Sequence, residues 1–254
     1  MKTALRVLMG CLAMLAVSGP APAAIVTLTG SNFDVQYEQS QASLALFGTP
    51  SLVGGNILFS ANNFFVQSAN GQGTASTSGS LVLYLVPHQN VQVSGLSLFA
   101  FGDYRLQGTG SYVQVSGSLA ADDDTSSDPM RSATRLINVT SPATPNGQIT
   151  GPLDNQNTNW QAYAGFNNNT NPWLLTTPRL AVTISSMLTA FTALGNGDPN
   201  FAFIQEKLFV QQPAVSLTVS SDPMVVPLPA AMFLLLGGGS LLGVVGTRRR
   251  ASVA

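Results

Sequence analysis

Val91-Gln92-Val93-Ser94, Tyr112-Val113-Gln114-Val115-Ser116 and Val215-Ser216-Leu217-Thr218-Val219 each alternate an apolar side chain with a polar one. Successive side chains of a strand point to opposite faces, so this period of two predicts half-buried strands with one face on a core. Leu81-Val82-Leu83-Tyr84-Leu85-Val86 is apolar without a break and predicts a strand covered on both faces, ended by Pro87. Ile25 to Thr29, Phe33 to Tyr37, Ser43 to Phe47, Asn56 to Ser60, Gly95 to Phe101, Arg135 to Val139 and Leu180 to Ile184 read as further strands. Phe201-Ala202-Phe203-Ile204 resumes the habit towards Phe209 and Val210. Gly54-Gly55-Asn56, Asn70-Gly71, Asn146-Gly147 and Asn196-Gly197-Asp198-Pro199 supply the turn residues between them. Many short strands so punctuated predict an all-β domain over residues 24–221, a β-sandwich or jelly-roll-like fold. Two stretches depart from it. Met187, Leu188, Phe191 and Leu194 fall at i, i+1, i+4 and i+7, which predicts one short helix capped by Gly195. Gln72 to Ser80 is small and polar and reads as flexible.

Composition narrows the class. Charged residues make up 8% of the 254 residues, where soluble domains average about 25%. That excludes a coiled coil, a charged disordered tail and the surface of a typical cytosolic enzyme. Lys2, Arg6 and Arg248 to Arg250 are terminal, so the middle sets five basic residues against all eleven acidic ones. No basic face for nucleic acid is present there. The single cysteine, Cys11, lies in the N-terminal apolar run, which excludes an internal disulfide or a thiolate metal site in the mature chain.

Three stretches of the middle carry candidate chemistry. His88 is the only histidine and follows Val86-Pro87; it reads as a solvated loop residue, with a serine triad as the one catalytic arrangement for which parts exist. Asp122-Asp123-Asp124-Thr125-Ser126-Ser127-Asp128 places oxygens at alternate positions, as calcium loops do. Ser127 and Ala133 stand where an EF-hand has Gly and Glu, so the stretch reads as a solvated acidic loop, with a calcium site completed from elsewhere as the other reading. Asp154 to Asn171 has seven asparagines in 18 residues plus Trp160, Tyr163 and Phe166, and Trp173 follows. Amides and aromatic faces suit a sugar-binding groove; a long surface loop or a self-association edge has the same composition.

The two ends read as addresses. Lys2 and Arg6, the apolar run Val7 to Val17, and Ser18-Gly19-Pro20-Ala21-Pro22-Ala23 have the three-part layout of a secretory signal peptide. Small residues at Ala21 and Ala23 place the cut after Ala23, giving a signal peptide of residues 1–23. Eleven apolar residues span about 16 Å as a helix, too short to cross roughly 30 Å of hydrocarbon. Leu8-Met9-Gly10-Cys11 resembles a lipobox, but only four residues separate Arg6 from Cys11. At the other end, the 17 uncharged residues Ala230 to Gly246 are just long enough to span, and Arg248, Arg249 and Arg250 fix their direction with the basic tail in the cytoplasm. Pro227 and Pro229 remove two backbone donors and hold the preceding segment extended. Gly237, Gly238 and Gly239 weaken the helix that follows. Gly239 and Gly243 also have the spacing of a helix-dimer face.

Val226-Pro227-Leu228-Pro229-Ala230, the glycine-interrupted apolar run and the terminal arginine cluster resemble the PEP-CTERM group of bacterial sorting signals, in its VPLPA variant. Leu228 stands where the parent motif has Glu. The resemblance covers residues 222–254: motif 226–230, membrane segment 230–246, basic tail 247–254. It implies recognition by an exosortase-type membrane protease, after export through signal peptidase and the secretion machinery, and a link to exopolysaccharide or biofilm matrix.

The expectation is therefore an exported, non-enzymatic surface or matrix protein. It passes through a single-pass intermediate in the inner membrane on its way to the envelope surface, without a cofactor or bound metal. A secreted carbohydrate-binding module is the second reading and a secreted hydrolase the third.

Overall fold

The computed structural model describes residues 23–61, 63–194, 199–206 and 215–223. The signal peptide through residue 22 and the sorting signal from residue 224, including Val226 to Ala230 and Arg248 to Arg250, lie outside the described residues. Among the described residues no helix is long and apolar enough to cross a membrane.

Period two governs the architecture, and the result is a sandwich of two antiparallel sheets. The first contains β1 (Ile25–Thr29), β2 (Phe33–Glu38), β6 (Gly73–Pro87), β8 (Tyr112–Asp123), β9 (Ser132–Leu136), β11 (Gln148–Ile149) and β13 (Leu180–Thr192). Its order is β1-β2-β6-β13-β8-β11, and β9 also pairs with β8. The second contains β3 (Ser51–Val53), β4 (Asn56–Phe59), β5 (Phe65–Ala69), β7 (Val91–Gln107), β10 (Asn138–Ser141), β12 (Thr158–Asn167), β14 (Phe201–Glu206) and β15 (Val215–Pro223). Its order is β10-β12-β7-β15-β4-β3, and β14 lies between β5 and the second half of β7.

The alternating patterns deliver the core. Val35, Leu81, Leu83, Leu85, Val113, Val115, Leu119, Val182 and Ile184 point inward from the first sheet, and Leu96, Leu98, Leu106, Ala162, Ile204 and Leu217 from the second. Burying each large aliphatic side chain contributes about 1.5–3 kcal/mol. Residues between them on the same strands face outward, so each sheet has a solvent face set by strand parity.

Several local expectations are corrected. Met187 to Leu194 is not a helix: β13 runs to Thr192 and pairs along its length with both β6 and β8. Leu188 and Ala190 face the core, while Phe191 stacks on Tyr112 outside with ring centroids 4.8 Å apart. Two full hydrogen-bonded ladders outweigh a local helical spacing. The stretch from Gly73 to Ser80 is the first half of β6, held against β13 with Thr74, Ser76, Ser78 and Ser80 exposed.

Ser43 to Phe47 is no strand either, since Leu44–Phe47 forms the single helical turn α1. Gln41 anchors it by exchanging side-chain hydrogen bonds with the Val82 backbone at 2.9 and 2.8 Å, and Phe47 packs against Phe59 and Phe64. Gly48 ends the turn at φ 80, where a Cβ would meet the Ser60 carbonyl oxygen at 2.5 Å. Arg135 to Val139 divides at buried Ile137, where the chain passes from β9 in one sheet to β10 in the other.

Candidate functional site

Strand parity along β12 decides which of its aromatics can meet a ligand. Trp160, Ala162, Ala164 and Phe166 face the core. Trp160 is 0% exposed, and its indole Nε1 donates to the Gln205 carbonyl at 3.1 Å. Room for the ring comes from Gly102, its register partner on β7; a Cβ there would meet Nε1 at 2.5 Å. The expected sugar contact through Trp160 is therefore corrected: it is a core residue. Trp173, in the 3-10 turn Pro172–Thr176, is partly buried against the same core.

Tyr163 is the aromatic of that region that faces outward, at 37% exposure. Its ring lies down along the strand, because Gly165 leaves bare backbone beside it; a Cβ on Gly165 would meet the Tyr163 hydroxyl oxygen at 2.3 Å. The hydroxyl reaches Ser97 Oγ at 3.5 Å. Phe99, the register partner of Tyr163, packs against it at 5.1 Å between ring centroids, and Phe101 continues the row at 6.4 Å.

Beside Tyr163 the outer face sinks into an open depression of about 390 Å³, within the range of about 300–1,000 Å³ of small-molecule sites. Gly95, Ser97, Tyr163, Gly165, Asn167, Asn168, Ser220 and Asp222 are among the residues that line it. The Asn168 backbone donates to the Ser94 carbonyl at 2.8 Å and closes one rim. The depression sits at the end of the sandwich where β15 finishes at Pro223, beside Val91.

Much of the asparagine content serves turns. Asn167 Oδ1 accepts from the Asn169 and Thr170 backbone, Asn171 Nδ2 donates to Asn167 and Thr170, and Asn70, Asn90, Asn146 and Asn155 take positive φ. The stretch expected as one long loop is thus a ten-residue strand, β12, between two turns.

The acidic stretch is not simply solvated. Asp123 is 1% exposed, ion-paired with Arg131 at 2.7 Å, and accepts hydrogen bonds from the Thr125 backbone and hydroxyl. Burial pushes its pKa up, but the Thr125 hydrogen bonds and the Arg131 charge outweigh that and hold it below the usual carboxylate range. Asp124 pairs with Arg179 at 3.0 Å, and Asp128 caps the turn at Met130. Each of these carboxylates has a separate protein partner, and among the described residues no three potential ligands cluster around a metal position.

His88 Nε2 meets Asp34 Oδ1 at 2.9 Å, and Nδ1 faces the Ser31 carbonyl at 3.2 Å. The hydrogen bond to Asp34 raises the imidazole pKa, with burial opposing it. A triad needs a serine hydroxyl on the nitrogen remote from the carboxylate; that nitrogen here meets a backbone carbonyl.

Glu206 is a functional-group position that the sequence reading passed over. It continues the inward parity of Ala202 and Ile204 on β14, which was the available signal. Its carboxyl is 2% exposed and accepts a hydrogen bond from Ser186, and Oε2 is buried without a partner among the described residues. Burial raises its pKa to about 8, opposed by the Ser186 hydrogen bond.

No protein-family model matches this chain, and neither does any curated protein sequence.

Proposed function

We propose that the chain is an exported, non-enzymatic surface or matrix protein whose sandwich is delivered by a signal peptide and held by a C-terminal membrane segment. That segment is then processed at Val226 to Ala230 by an exosortase-type membrane protease. The supporting observation is the ordered layout after the β-domain: Val226-Pro227-Leu228-Pro229-Ala230, then the apolar run to Gly246, then Arg248 to Arg250. β15, the last strand among the described residues, ends at Pro223, and Val226 lies three positions further along the sequence. Prolines at 227 and 229 restrict φ and remove two backbone donors, which suits recognition by a protease, and the arginines oppose passage of the tail across the membrane.

Association with exopolysaccharide belongs to the same reading. A secreted carbohydrate-binding module is the second reading, and the depression beside Tyr163 favours it.

Mass spectrometry of both ends of the mature protein, from its native envelope and medium, tests the sorting reading. The expected N-terminus is Ala24 and the expected C-terminus falls near Pro227 to Pro229. Mature protein that keeps residues 230–254 in full overturns the processing step. Replacing Arg248 to Arg250 with Glu is expected to disturb orientation in a cysteine-accessibility assay; unchanged topology refutes their role.

A further inference from the structure

We propose that the depression between Tyr163 and Asp222, on the outer face of the second sheet, binds a pyranose unit of a neutral polysaccharide. The assignment rests on reading the domain as one that contacts polysaccharide, and it is independent of how the C-terminus is processed.

A pyranose ring presents an apolar face of C–H bonds and a rim of hydroxyls, so its site needs a flat aromatic surface with donors and acceptors around it. Tyr163 supplies the surface. Its ring is held along the sheet by Gly165 beneath its hydroxyl and by Phe99 at 5.1 Å. A ring fixed in this way loses little conformational freedom on binding.

The rim is supplied by different strands. Asn167 Oδ1 is already engaged by two backbone N–H groups of its turn, which fixes the amide and leaves its nitrogen as a donor. Asn168, just after β12, and Ser220 on β15 bring an amide and a hydroxyl that have no side-chain hydrogen bond among the described residues. Asp222 adds an acceptor-only carboxylate, which can take hydrogen bonds from two neighbouring sugar hydroxyls. Gly95 adds no side chain to the lining, and Gly165 lets the Tyr163 ring lie against the sheet beside these groups.

Charge selects the class. Among the described residues no Lys or Arg lines the depression, and the one formal charge among them is Asp222. A uronic-acid chain would set carboxylate against carboxylate without a cation to compensate. A hydroxyl-rich neutral unit satisfies every group. Phe99 and Phe101 extend the aromatic row along β7, so units adjoining the bound one meet further ring surface. This favours a polymer over a free monosaccharide.

The test uses the full-length chain in detergent, run by native electrophoresis through gels containing a neutral glucan, mannan or galactan, and through gels containing alginate or chitosan. Retardation is expected in at least one neutral gel and neither charged one. Tyr163→Ala and Asn168→Ala each are expected to weaken it by about tenfold or more, and Tyr163→Phe by about threefold or less. Tyr163 is exposed and Asn168 half-buried, and circular dichroism melts that match the parent show that lost retardation is lost binding. Equal retardation of parent and Tyr163→Ala, absence of retardation in all neutral gels, or retardation by alginate or chitosan alone overturns the proposal. An unprocessed C-terminus in a protein that still binds through Tyr163 defeats the sorting reading and leaves this one standing.

Discussion

The Ser186 hydroxyl on β13 donates to the Glu206 carboxyl on β14 at 2.5 Å, a hydrogen bond that crosses the interior from one sheet to the other. Desolvation makes the charged form of Glu206 costly there, which is why its pKa rises to about 8. In the unfolded chain a glutamate titrates near 4.3. Between these values the folded protein holds a proton that the unfolded one has lost, so stability falls as pH rises through this window and levels off above it. The contribution to the slope is up to about 1.4 kcal/mol per pH unit. Glu206→Gln keeps the acceptor and removes the titration. Denaturant midpoints compared at pH 5 and pH 8 are expected to drop for the parent and to differ much less for the variant. Equal slopes refute the buried neutral carboxyl.

Trp160 and Tyr163 lie three residues apart on β12 and belong to different faces, so their alanine variants separate stability from binding. Trp160→Ala empties a fully buried site and is expected to cost about 3–5 kcal/mol. Tyr163→Ala, at a half-exposed position, is expected to change stability by about 1 kcal/mol or less. Urea unfolding of the two variants checks the contrast, and a mild Trp160→Ala effect would contradict the parity assigned to β12.

How far the sequence was legible follows from what each residue's partners are. Strands whose own side chains alternate, such as Val113-Gln114-Val115, carry their pairing in the local pattern and are found where expected. Thr74 to Ser80 and Met187 to Thr192 are strands because of each other, aligned residue by residue across β6 and β13, and no local window contains that ladder. The candidate site was half visible. The mixture of amides and rings around Tyr163 marked the region, but which rings turn outward depends on where β12 begins. The depression also needs Ser94 and Asp222 from strands distant in sequence. Glu206 was legible through parity alone.

Arg131 and Asp123 form a pair with the carboxylate almost wholly buried, 2% exposed, and the guanidinium 28% exposed. Removing the arginine leaves Asp123, among the described residues, with the Thr125 hydrogen bonds alone, and Arg131→Ala is expected to cost about 3–5 kcal/mol. Because the Asp123 pKa lies below its ordinary value, its contribution is present above the unfolded pKa of about 3.9 and is lost as pH falls through the lowered one. Stability measured from pH 6 to pH 2 is expected to fall less in Asp123→Asn than in the parent. Calcium is expected to leave the melting temperature unchanged, since Asp123, Asp124 and Asp128 each already have a protein partner. A calcium-dependent rise would restore the loop as a metal site.

His88 gives the simplest readout, because the chain has one histidine. Its imidazolium donates to Asp34 on β2, tying the turn after β6 to the neighbouring strand, and the pKa is raised accordingly. A raised folded pKa means that the link stabilises below the unfolded value near 6.5 and is lost as pH rises through the folded value. The imidazole C–H resonances followed by NMR are expected to titrate above 6.5 in the parent and to move down in Asp34→Asn, where the carboxylate charge is gone. Coincident titrations would show that Asp34 does not hold the proton on His88 and that the two side chains form no ion pair in solution.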